Sequence, residues 1–112
     1  MTRDRPAPLG EFELLVLLST LSLGEGAYPV SIARDIERRT GRKASRGTVL
    51  ITLERLEEKD LVTSRYGDPT PERGGRAKRF FRTRNRGVQA VRDSLARIET
   101  MTAGLEAVLR SS

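Results

Sequence analysis

The chain has 112 residues, with 21 Lys and Arg against 15 Asp and Glu and a net charge of +6, a length that suits one domain with one modest core and leaves no room for a second. Its composition, 37% hydrophobic and 32% charged, is that of a soluble globular protein rather than a disordered or fibrous one. Cys and His are both absent, which removes disulfides, thiolate sites, the commonest general base and the commonest metal ligand, so no enzyme, metal or cofactor is expected.

The opening MTRDRPAPLG carries Asp4 and lacks an apolar run leading to a small-residue cleavage site, the pattern of a secretory signal. The first helix is expected over Leu9–Leu23, where Leu14, Leu15, Val16, Leu17, Leu18, Leu21 and Leu23 occupy nearly the whole circumference. A helix apolar on most sides must be covered on most sides, by the domain's own core on one face and by a partner chain on another. Ser19, Thr20 and Ser22 interrupt its apolar stretch, which is about half of the roughly 20 residues a bilayer requires. A cytoplasmic location with no membrane partner is expected. Gly24–Gly26 ends the helix.

Next, PVSIARDIERRTG has Pro29 where a first helical turn tolerates it, Ile32 and Ile36 one turn apart and Gly41 as a stop, the pattern of a short amphipathic helix. A turn rich in Arg, Lys and Gly leads to Ser45, an N-cap for a third helix through Lys59. At about 100° per residue, Val49, Leu50, Leu53 and Leu56 gather on one side. Ser45, Thr48, Thr52, Arg55 and Lys59 are expected opposite, with Glu54 and Glu58 on a flank; hydroxyls and cations of this kind can donate to phosphates and base edges.

After Asp60 the pattern changes to two short strands, LVTSRY and AKRFFRT, joined by the nine-residue loop GDPTPERGG, a β-hairpin with an extended tip. Phe80 and Phe81 must face opposite sides of their strand. Residues 65–86 contain eight basic and two acidic side chains, whereas residues 1–64 and 87–112 are each balanced. The whole charge excess therefore lies on this hairpin, in Arg65, Arg73, Arg76, Lys78, Arg79, Arg82, Arg84 and Arg86, a footprint suited to a phosphate backbone. Finally, Val88, Val91, Leu95, Ile98, Thr102, Leu105 and Leu109 alternate spacings of three and four, a coiled-coil period. One helix from Asn85 to Leu109 would be about 37 Å long, more than so small a core can cover. Another copy of the chain would cover it; a helix folded back on its own domain is the alternative.

The order of elements is that of a winged helix-turn-helix, mainly α with a small β-hairpin: residues 1–84 form the winged domain, with 1–8 a flexible lead, and 85–112 a long C-terminal dimerisation helix. The stretch GTVLITLERLEEKDLVTSR followed by GGRAKRFFRTRNRG resembles the PadR family of transcriptional regulators. That family leads into its recognition helix with Gly-Thr-Leu-Tyr and closes it with Arg-Leu-Glu; a Gly-Gly-Arg wing and a Tyr-Tyr-x-Leu-Thr-x-x-Gly strand end follow. The resemblance, over roughly residues 9–90, implies a homodimeric regulator of double-stranded DNA, usually a repressor. By position it places Ser45, Gly47, Thr48, Thr52 and Arg55 at or near DNA and Arg76, Lys78 and Arg79 in the wing; Arg46, Lys59 and Arg73, cations beside these, are expected at the DNA as well. It also places Leu14, Leu17, Leu18, Leu21, Val91, Leu95, Ile98, Leu105 and Leu109 at the dimer contact.

The chain departs from the family pattern at three positions. Leu50 stands for the usual Tyr. Asp60 stands for a Gly where a left-handed backbone is wanted, and Arg84 stands for the capping Thr, leaving Asn85 or Thr83 to cap the last helix. A small-molecule effector would have to use the groove between first and last helices, with no residue to assign to it. The competing reading is a winged-helix protein-interaction module with incidental DNA affinity, which gives no reason for the clustered charge.

Overall fold

The computed structural model describes residues 6–67 and 77–111. Three helices, α1 (Glu11–Leu23), α2 (Pro29–Thr40) and α3 (Arg46–Glu58), precede the antiparallel strands β1 (Val62–Tyr66) and β2 (Arg79–Thr83). Helix α4 (Asn85–Thr102) and the single turn α5 (Glu106–Arg110) complete the chain. The hairpin pairs Val62 with Thr83 and Tyr66 with Arg79. The expected class, mainly helical with one small hairpin, is what is observed.

Local chemistry accounts for the element ends. At the start of α1 the Gly10 amide donates to Glu13 Oε1 (2.9 Å), and Ser45 Oγ caps α3 by accepting from the Thr48 amide (3.0 Å), satisfying otherwise orphaned donors. Helix α2 has Pro29 in its first turn and ends at Gly41 (φ +78°). Helix α3 closes on Asp60 at φ +64°, with the Leu61 amide reaching back to Leu56 O and the Asp60 amide to Glu57 O (3.0 Å each). This is a Schellman closure with a non-glycine residue in the left-handed position, a conformation that costs an L side chain about 1 kcal/mol. At the start of α4 neither Asn85 nor Thr83 caps: the N-cap position is Arg84 without a side-chain bond, and Thr83 Oγ1 is buried without a hydrogen-bond partner.

The core joins α1 to α4 and the hairpin. Val16 and Leu17 of α1, Ile32 and Ile36 of α2, and Val49, Leu53 and Leu56 of α3 pack with Leu61, Val62, Phe81, Ala90 and Val91. The Phe81 amide donates to Ala27 O and fastens β2 to the turn before α2, while the Arg84 amide donates to Leu61 O and closes the hairpin root where α4 begins (2.9 Å each). Gly87 makes the second approach possible, because a Cβ there would strike the Leu61 carbonyl and the Thr83 methyl. Under the core, Ser19 Oγ donates to Asp35 Oδ2 (2.7 Å), and Arg38 and Arg39 donate to the same carboxylate, tying α1 to α2.

Three expectations about helix packing are corrected. Leu17 and Val91, expected between copies, lie inside their own chain's core, because α1 and the first half of α4 pack directly on each other. The last helix is not continuous from Asn85 to Leu109. It stops at Thr102, about 27 Å from its start, and Gly104 at φ +85° turns the chain before α5. Helix α4 also starts inside the core, with Gly87, Ala90, Val91 and Ser94 buried, so the packed unit runs past residue 84.

Candidate nucleic-acid interface

The side of α3 away from the core is set by Val49, Leu53 and Leu56, all fully buried. Gly47, Thr48, Ile51, Arg55 and Glu58 form the exposed stripe opposite them. This stripe is rotated from the one the hydroxyl pattern suggests. Thr52, expected outward, is only 5% exposed, and its Oγ1 donates back to Thr48 O (2.9 Å). It lies between the exposed stripe and the core and contributes no outward donor. Leu50 is half-buried against the core, as the inward assignment requires.

Ser45, Arg46, Gly47 and Thr48 are exposed at the helix start, where the free amides and the helix dipole favour anions. Arg55 is exposed one turn beyond Ile51. Lys59 is otherwise engaged: its Nζ lies 3.0 Å from Glu13 Oε2 and joins the end of α3 to α1. Burial pushes the Glu13 carboxyl up, but the Gly10 amide and Lys59 outweigh it and hold the group below its ordinary value.

The wing's charges divide in the same way. Arg79 donates to Glu54 Oε2 (3.0 Å) and Glu57 Oε1 (2.8 Å) of α3, and Ser64 Oγ donates to Glu57 Oε2 (2.9 Å). A guanidinium expected on a phosphate thus braces the hairpin root against α3 and offsets part of that helix's acidic flank. Arg65 lies over the Phe80 ring (4.9 Å) and Lys78 over Tyr28 (4.6 Å), and Tyr28 meets Phe80 edge to face at 5.5 Å. Phe81 enters the core while Phe80 takes the opposite side of β2, as the alternation demands. Arg73 and Arg76 lie outside the described residues.

Ile51 is the residue that inspection of the sequence misses: it is 58% exposed at the middle of the outward stripe. Taking the buried Val49, Leu53 and Leu56 as the inner direction puts Gly47 and Ile51 diametrically opposite, a signal hidden by choosing the outer face from its hydroxyls. Among the described residues no group of acidic side chains could hold a metal ion, and no helix is long and apolar enough to cross a membrane. Of the nine positions expected at a dimer contact, Leu21, Leu95, Ile98, Leu105 and Leu109 are exposed, and Leu14 and Leu18 are half-buried. Met101 and Val108 join the exposed set.

No protein-family model and no curated protein matches the chain. Solved structures do. A PadR-family transcription regulator from Clostridium difficile superposes with a TM-score of 0.68 at 23% identity, covering 89% of this chain and 99% of its own. A PadR-family transcriptional regulator from Eggerthella lenta gives 0.67 at 22%, covering 91% and 88%, and RosR of H. salinarum gives 0.62 at 24%, covering 98% and 94%. The chain has the winged-helix fold of PadR-family regulators over most of its length.

Proposed function

We propose that this protein is a homodimeric, sequence-specific DNA-binding transcriptional regulator acting as a repressor. The observation that carries the reading is α3 itself: a capped helix with its N-terminus, Arg46, Thr48 and Arg55 exposed, the charge of its acidic Glu54 and Glu57 partly offset by Arg79 of the wing. A helix presented in this way suits the major groove, and the wing beside it suits the flanking backbone. The shared fold with transcription regulators supports the same conclusion.

Homodimerism is supported by Leu21, Leu95, Ile98, Met101, Leu105, Val108 and Leu109, large apolar side chains that a single chain leaves in water and that a partner copy would cover. Two copies joined there would present two α3 helices to half-sites one DNA turn apart, near 34 Å, and occupy a promoter sterically. Ser45, Gly47 and the wing residues Arg73, Arg76 and Lys78 complete the contact; Thr52, Lys59 and Arg79 support the surface from behind.

Fluorescence anisotropy with duplexes from the region upstream of the protein's own coding sequence tests the reading, combined with light scattering. The expected result is two copies per duplex and an affinity that falls steeply as salt rises, because phosphate contacts release counterions. Binding indifferent to salt, or a monomer that ignores duplexes in dilute buffer, overturns it.

A further inference from the structure

Helix α3 leaves one large aliphatic side chain standing in water. Val49, Leu53 and Leu56 are fully buried and Leu50 packs on the core, whereas Ile51 is 58% exposed. An exposed β-branched residue gains nothing from packing and is a weaker helix former than Ala, Arg or Lys, so the fold of the single chain gives no reason for it.

Its surroundings indicate what would cover it. Gly47, one turn earlier on the same stripe, has open space where a Cβ would stand apart from Ser45 Oγ at 3.9 Å, so the backbone there can approach a surface closely. Thr48 precedes Ile51 by three residues and Arg55 follows it by four; both are exposed, and the Arg55 guanidinium reaches Glu13 only through its field. Glu54, the nearest acid on that side, is paired with Arg79 at 3.0 Å, and Glu58, the other acid of the stripe, stands two turns beyond Ile51. An apolar tip ringed by donors and a cation complements an anionic surface with a small apolar island. Duplex DNA offers one such island in the groove wide enough for a helix, the C5-methyl group of thymine.

We propose that Ile51 is a specificity-determining residue that reads a thymine methyl in each half-site, while Thr48 and Arg55 engage the polar atoms on either side. The proposal rests on the DNA-binding reading above, and its test separates the two. Duplexes are selected from a random-sequence pool with the full chain. Each thymine of the selected duplex is then replaced singly by deoxyuridine, which removes the methyl and keeps the base pair. One thymine per half-site is expected to lower wild-type affinity about four-fold when replaced, the value of one buried methyl. Ile51→Ala and Ile51→Ser are expected to bind thymine and uracil duplexes equally, with melting temperatures near wild type because the site is on the surface. Ile51→Val should restore most of the discrimination. If wild type binds the selected duplex with the expected salt dependence but no deoxyuridine replacement matters, or if the sensitivity survives in Ile51→Ala, the assignment of Ile51 is overturned and DNA binding stands. A pool from which no duplex is enriched overturns both.

Discussion

The two halves of α4 carry the same apolar spacing and serve different ends. In the first half Ala90 and Val91 join the core, and Gly87 lets the helix touch the hairpin; in the second, Leu95, Ile98 and Met101 stay in water. Periodicity alone tells which side of a helix is apolar, but not whether that side meets its own chain or another. The difference arises because α1 and the hairpin cover only about the first ten residues of α4, as the buried positions from Gly87 to Ser94 show.

Substitutions can break this contrast at its strongest point. Leu17→Ala, in the part that α1 shares with α4, is expected to lower the unfolding free energy by about 3 kcal/mol in chemical denaturation, the usual cost of truncating a fully buried leucine. A loss below about 1 kcal/mol would return Leu17 to the contact between copies. Gly87→Ala should cost about 2 kcal/mol, since its Cβ meets a backbone carbonyl that cannot swing aside, and the hairpin should lose hydrogen-exchange protection first.

Asp35 sharpens the contrast through pH. Burial pushes its carboxyl up, but the Ser19 hydrogen bond and the Arg39 and Arg38 guanidiniums outweigh burial and leave it below its ordinary value. A carboxyl lowered in the folded state stabilises it above about pH 4, the unfolded value, and that contribution disappears as pH falls through the lowered folded value. Asp35→Asn should therefore cost about 1 kcal/mol at neutral pH, a modest figure because both arginines are largely exposed. It should also show a flatter acid limb in a pH-dependent melt; an unchanged limb counts against the α1–α2 tie.

Two smaller effects complete the series. Asp60→Gly should raise stability by about 0.5–1 kcal/mol by relieving the left-handed backbone, less whatever the exposed Arg84 pair at 3.5 Å contributes. Ile98→Ala, on the distal half, should change the stability of the dilute single chain by no more than about 0.5 kcal/mol, while weakening self-association about tenfold in sedimentation. Equal losses in both measurements would mean that the distal half folds onto its own chain.

Much of the candidate site was legible from residue types. Ser45 as cap, Val49, Leu53 and Leu56 as the inner face, the left-handed turn at Asp60 and the opposite facings of Phe80 and Phe81 all follow from local stereochemistry. What was missed has a common cause. Thr52, Lys59 and Arg79 have the chemistry of DNA contacts, but each is engaged by a neighbour that is distant in sequence or lies behind the helix: the core, Glu13, and the Glu54–Glu57 flank. Ile51 escaped because the outer face was chosen from hydroxyls and cations rather than as the direction opposite Val49, Leu53 and Leu56.

The succession of three helices, a hairpin and a further helix, the Ser45 cap and the concentration of charge on the hairpin can be read from residue types alone, because each depends on backbone preferences and spacings within a few residues. Which arginines brace the fold and which face outward, how far α3 is rotated on the core and where α4 leaves it follow from the packing of the whole chain. Those outcomes depend on side chains up to 46 positions apart, as Glu13 and Lys59 are, and on how little of a long helix a small core can cover.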